Sequence, residues 1–168
     1  KLIHNLVENN VHSINLSKRK VGNEEVLLLT KVLTTSTPPL IRSIWLSGSL
    51  LTARSLLPFF GVSVPSPANV IRLYLKNCCN AGEESIEAIA KYLPQSKALE
   101  VLCLNNCSIT AHGATKLADG LKYNKTLRRL NLDNNDIGDD GLMEVASVLP
   151  HITLASLSAS GNNITDSS

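Results

Sequence analysis

Aromatic side chains are scarce in this sequence: two Phe, three Tyr and one Trp, 4% of 168 residues. Charge is also thin, at 18% of residues with a formal net charge of +2. So mild a balance gives no footprint for nucleic acid or an anionic membrane as partner. No apolar run reaches the roughly 18 residues a spanning helix needs. The opening Lys1-Leu2-Ile3-His4-Asn5 lacks a charged region leading into an apolar core, so no signal peptide is expected. Phosphate-cradling G-x-G-x-x-G and P-loop patterns are missing as well, and His4, His12, His112 and His151 are dispersed with no H-E-x-x-H spacing. With no nucleophile–base–acid grouping, the sequence is not expected to be an enzyme, and no cofactor is implied.

What the sequence does hold is aliphatic material, within a hydrophobic fraction of 43%. That is enough to build a continuous core and far from the composition of disorder. The aliphatic residues recur. Leu127, Leu130, Leu132, Asn135 and Ile137, then Gly141, Val145 and Leu149, form the clearest unit. Leu99, Leu102, Leu104, Cys107, Ile109, Gly113, Leu117 and Leu121 match it, as do Val70, Leu73, Leu75, Cys78, Ala81, Ile89 and Leu93 with one extra residue near Cys79. Earlier units contain Ile41, Ile44, Leu46, Ser49 and Leu51, and Val11, Ile14, Leu16, Arg19, Val21, Leu29 and Leu33; a sixth opens at Leu154. Starts at 11, 41, 70, 99, 127 and 154 lie 30, 29, 29, 28 and 27 residues apart. Each unit passes from alternation, which suits a strand, to apolar spacings of three and four, which suit a helix. Pro38, Pro39, Pro65, Pro67, Pro94 and Pro150 fall after the helical parts, where proline's missing N–H stops a helix.

The pattern L-x-x-L-x-L-x-x-N/C-x-I/L followed by a helix resembles the ribonuclease-inhibitor-like subfamily of leucine-rich repeats, over residues 11 to 165. The resemblance implies an α/β fold: a right-handed solenoid with a parallel sheet on its concave face and helices on its convex face. One domain over 1–168 is expected, with about six repeats. Lys1 to Asn10 resembles the last turns of a preceding helix, and neither end has a dedicated polar cap. A piece of a longer array is therefore expected, with self-association through the uncapped ends as another outcome.

The repeat absorbs several other signals. Position nine of each unit, where the chain leaves the strand, holds Arg19, Ser49, Cys78, Cys107, Asn135 and Asn162. Asn there offers a donor and an acceptor to the turn backbone, and Cys is a small buried substitute. Cys78 and Cys107 are thus expected to stack as core thiols, Cys103 to lie on the sheet face and Cys79 in the insertion. No paired C-x-x-C set supports zinc, and cysteines used this way favour a reducing, cytoplasmic setting. Asp133-x-Asn135-x-x-Gly138 with Glu144 has the outline of a calcium loop, but its fifth position is Ile137, which the core claims. N-x-[ST] sequons at Asn15, Asn106, Asn124 and Asn163 follow from the many turn asparagines.

Strand alternation puts the residues between the core leucines on the concave face. Position three reads Ser13, Ser43, Arg72, Val101, Arg129, Ser156; position five reads Asn15, Trp45, Tyr74, Cys103, Asn131, Ser158; position seven reads Ser17, Ser47, Lys76, Asn105, Asp133, Ser160. Neighbouring strands run about 4.8 Å apart, so Trp45 and Tyr74 are predicted side by side with Arg72 and Lys76 flanking. Aromatics and Arg dominate binding hot spots. The expected function is a protein-interaction module using Trp45, Arg72, Tyr74, Lys76, Arg129 and Asp133, as part of a larger receptor or scaffold. The alternative, implied by the resemblance to Ran-type GTPase activators, is a small-GTPase regulator using the turn Asn135–Asp139. A ribonuclease-inhibitor role fits less well, because a basic ligand calls for an acidic face.

Overall fold

The computed structural model describes residues 11–165 apart from 18, 20, 35–40, 50, 61–69 and 79–81. Each unit opens with three extended residues whose middle side chain is apolar. These form β1 (Ser13–Asn15), β2 (Ser43–Trp45), β3 (Arg72–Tyr74), β4 (Val101–Cys103), β5 (Arg129–Asn131) and β6 (Ser156–Ser158). They make one parallel sheet in chain order. Its register aligns Ile14, Ile44, Leu73, Leu102, Leu130 and Leu157 in one row. This is the pairing that the repeat alignment predicts, because a slip of one residue would turn every core leucine outward.

Between strands lie α1 (Asn23–Leu33), α2 (Ala53–Phe60), α3 (Gly82–Tyr92), α4 (Ala111–Leu121) and α5 (Gly138–Val148). Their inward stripes, such as Val26, Leu29 and Leu33 on α1 or Ala114, Leu117 and Leu121 on α4, bury against the strand leucines in one continuous core. Gly120 sets how closely α3 and α4 approach: a Cβ there would stand 2.2 Å from the Ala90 carbonyl oxygen. Pro94 and Pro150 sit in the 3-10 turns Leu93–Gln95 and Leu149–His151 that end α3 and α5. Pro38, Pro39, Pro65, Pro67, Cys79, Ala81 and the segment before Val11 lie outside the described residues. Pro58 behaves differently from its fellows, standing inside the eight-residue α2.

Position eight carries a feature that the alignment above passes over. Gly48, Asn77, Asn106, Asn134 and Gly161 all adopt positive φ, between 55° and 72°. The left-handed region is open to Gly and tolerated by Asn, and there the chain turns from strand towards helix. The amides of Gly48, Asn77, Asn106 and Asn134 then donate to the position-seven carbonyl of the next unit, at 2.7 to 3.1 Å.

Position nine closes the last four of these turns. The Cys78 thiol donates to the Leu46 carbonyl at 3.6 Å and the Cys107 thiol to Leu75 at 3.1 Å. Asn135 Nδ2 donates to Leu104 at 3.0 Å, and Asn162 Nδ2 to Leu132 at 2.9 Å. Each side chain therefore ties its turn to the position-six carbonyl of the preceding unit. Ile137 is buried and Asn135 Oδ1 accepts the amides of Cys107 and Ile109 at 2.9 and 3.1 Å, while Glu144 stands exposed on α5. Asn135 and Ile137 of the calcium-like stretch are thus committed to repeat packing.

Candidate functional site on the sheet face

Because the position-five row runs across the strands, Trp45 is the direct register partner of Tyr74. Their rings stack with centroids 5.0 Å apart and an interplanar angle of 1°. Both are half-buried, and neither belongs to the core. Arg72, two residues before Tyr74, and Lys76, two after it, are exposed, as alternation along one strand requires. To one side of the stack lie Asn15 and Ser13; to the other lie Cys103 and Val101. The pair thus forms an aromatic island on a polar sheet, bordered by two cations.

Arg129 and Asp133 belong to the strand two places further on, roughly 10 Å from the Tyr74 strand. Arg129 is exposed. Asp133 is engaged internally: its carboxylate accepts Ser158 Oγ at 2.6 Å, the Ser160 amide at 2.8 Å and Asn131 Nδ2 at 3.0 Å. The Ser158 hydroxyl is the main reason this carboxyl is held below the usual range, with Ser160 and Asn131 adding to it against partial burial. Burial pushes the neighbouring Cys103 thiol up, and the Asp133 charge pushes it further, so it stays protonated and poorly nucleophilic. The six predicted residues therefore separate into four that meet around the stack and two that stand apart.

Asn124, read above as a sequon, is an important residue that sequence reasoning missed. It is 2% exposed. Its Nδ2 donates to the Leu93 carbonyl at 2.6 Å, and its Oδ1 accepts the amides of Leu127 and Thr126 at 2.6 and 3.0 Å. This side chain closes the turn into β5. Ser96, 28 residues earlier, accepts the Leu99 amide at 3.2 Å in the corresponding turn. That repeat spacing was the available signal. Among the described residues, no group of three or more His, Cys, Asp or Glu is placed to hold a metal ion, and no helix is long and apolar enough to cross a membrane.

Comparison with known proteins agrees with this geometry. A family profile described as Leucine Rich repeat matches residues 123–146. The ribonuclease inhibitor of Sus scrofa is 30% identical over 137 residues, covering 81% of this chain and 29% of the inhibitor. NACHT, LRR and PYD domains-containing protein 3 of Rattus norvegicus is 39% identical over 84 residues, 48% of this chain and 8% of that protein. The solved structure titled Leiomodin-1 Actin-Binding Site 2 superposes with a TM-score of 0.56 over 94% of this chain and 77% of its own, at 22% identity. Strand, turn, position-nine ladder and helix together define a leucine-rich-repeat protein. Within that class the chain belongs to the ribonuclease-inhibitor-like repeats. It spans less than a third of the length of the ribonuclease inhibitors it matches.

Proposed function

We propose that this chain is an interaction module that holds another protein across its exposed sheet face, with Trp45, Arg72, Tyr74 and Lys76 at the centre of the contact and Arg129 and Asp133 towards its edge. The carrying observation is the Trp45–Tyr74 stack. Two large rings sit on a sheet surface where they complete no core, already fixed in one orientation, so little rotamer freedom is left to lose on binding. The 30% identical relative is named for inhibiting a ribonuclease, which accords with binding rather than catalysis. The thiols of Cys78 and Cys107, used as buried donors, fit a reducing, cytoplasmic setting. GTPase regulation through Asn135–Asp139 has less support, because those side chains have structural duties. Asn135 ties the ladder, Asp136 accepts Asn163 Nδ2 at 2.7 Å, and Asp139 accepts the Thr165 amide and hydroxyl at 2.8 and 2.6 Å.

Quantitative affinity purification with wild type and three variants tests the proposal. Trp45→Ala and Tyr74→Ala should each weaken the partner by more than about 2 kcal/mol, while Leu28→Ala on the exposed side of α1 should leave it bound. Loss with Leu28→Ala, together with unchanged affinity for both sheet-face variants, would sink the idea.

A further inference from the structure

The rim where the chain enters the sheet is more cationic than the sheet itself. Position two of successive units there holds Arg42, Ile71, Glu100 and Arg128, joined by backbone hydrogen bonds from Ile71 to Arg42, Glu100 to Ile71 and Arg128 to Glu100, at 2.7 to 2.8 Å. Lys97 and Lys125 occupy matching places in the turns before β4 and β5, each two residues ahead of the first core leucine. These residues line one open cleft of about 270 Å³. Arg42, Lys97, Lys125 and Arg128 are all exposed, and Glu100 is the one carboxylate lining the cleft. Among the described residues the ion pairs are Arg54–Glu24 and Lys91–Glu87, neither of them here. Arg128 is steadied by its Nη1 contact with the Thr153 carbonyl at 3.1 Å.

We infer that this cleft receives an acidic polypeptide segment, carboxylate side chains of a partner protein meeting Arg42, Lys97, Lys125 and Arg128. Four like charges around a concave surface repel one another, and the single Glu100 offsets only one of them; an arriving acidic strand removes that repulsion. Across three strand spacings, about 14 Å separates the Arg42 and Arg128 positions, a span that four or five extended residues cover. Glutamates at alternate positions of such a segment repeat about every 6.8 Å, so that three of them span the Arg42, Lys97 and Arg128 units. A peptide suits the cleft better than nucleic acid does. Its walls carry no aromatic ring for a base to stack on, and Glu100 would face any phosphate backbone laid through it. The site is distinct from the aromatic stack, since its residues lie at the strand entry and not on the position-five row.

The test is fluorescence anisotropy with a labelled Glu-rich peptide about eight residues long, roughly 27 Å when extended, at about 100 mM salt. The intact chain should bind it, and Lys97→Glu with Lys125→Glu should weaken binding about tenfold or more. Lys31→Glu with Lys122→Glu changes net charge equally but lies on the helix side, and should leave affinity within about twofold. Trp45→Ser with Tyr74→Ser should also leave it unchanged, which separates this site from the proposed sheet-face contact. The inference is overturned if wild type does not bind, or if both pairs of lysine reversals weaken binding equally. Loss with the aromatic pair would instead put the peptide on the sheet. Tighter binding of a single-stranded oligothymidine at the same salt would make the cleft a nucleic-acid site.

Discussion

The units after residue 99 and those before residue 60 follow one plan but close their turns with different chemistry. In the later units Asn135 joins three chain segments at once: it donates to the Leu104 and Leu132 carbonyls and accepts two amides of the unit before it. Asn162 repeats the device, accepting the Asn135 amide at 3.2 Å. The equivalent Ser49 is 4% exposed, and its hydroxyl has no hydrogen-bond partner among the described residues. A serine side chain is one bond shorter than asparagine and ends in a single polar atom, which here makes no bridge to the previous strand. Cys78 and Cys107 fall between, each sending a weak S–H donor to that carbonyl but lacking an amide's second function. The helices differ in step with this, since among the described residues α2 spans eight with Pro58 inside it whereas the others span eleven. Stability in a repeat array is roughly a sum over units and their interfaces. The later units are therefore the stiff part and the second unit the soft part.

Single substitutions at position nine can break this contrast. Asn135→Ala has the largest expected effect. It strands two buried amides and the Leu104 carbonyl, while Leu132 keeps the Asn162 amide, and should cost about 3 kcal/mol in urea unfolding, with faster hydrogen exchange at the Cys107 and Ile109 amides. Cys107→Ala removes a thiol donor and a little volume, for about 1 kcal/mol. Ser49→Ala should change the unfolding free energy by no more than about 0.5 kcal/mol in either direction, because the hydroxyl it deletes has no partner among the described residues. Equal losses for Asn135→Ala and Ser49→Ala would show that the two halves close their turns alike and remove the distinction.

The row structure of the sheet was legible beforehand because strand alternation and a 27–30-residue period constrain each other. Once Leu73 and Leu102 align, Tyr74 has to face Cys103, and the observed register agrees. The fate of the Asp133–Glu144 loop was legible for the same reason, since Ile137 has one place to go. Asn124 was not, because a sequon and a turn-closing asparagine look identical until its amide is seen between Leu93 and Leu127. Position eight was readable in principle: Gly or Asn stands there in five consecutive units, a composition that positive φ imposes. The cationic rim escaped because its members come from two different repeat positions. Only the cleft shows that position two and the preceding turn share a surface. The internal engagement of Asp133 depended on Ser158 and Ser160, whose hydroxyl and amide had no distinguishing mark in the sequence.

The stacked ring pair also has an optical consequence. Trp45 is the single tryptophan of the chain, and it lies flat against Tyr74 at 5.0 Å. Indole emission from the folded protein therefore originates at one spot, between the second and third strands. Water drawn away from that spot moves the emission to shorter wavelength, and loosening of the second unit quenches or reddens it while the later units stay folded. The molecule carries its own dye, placed where the soft part of the array meets its stacked aromatic pair.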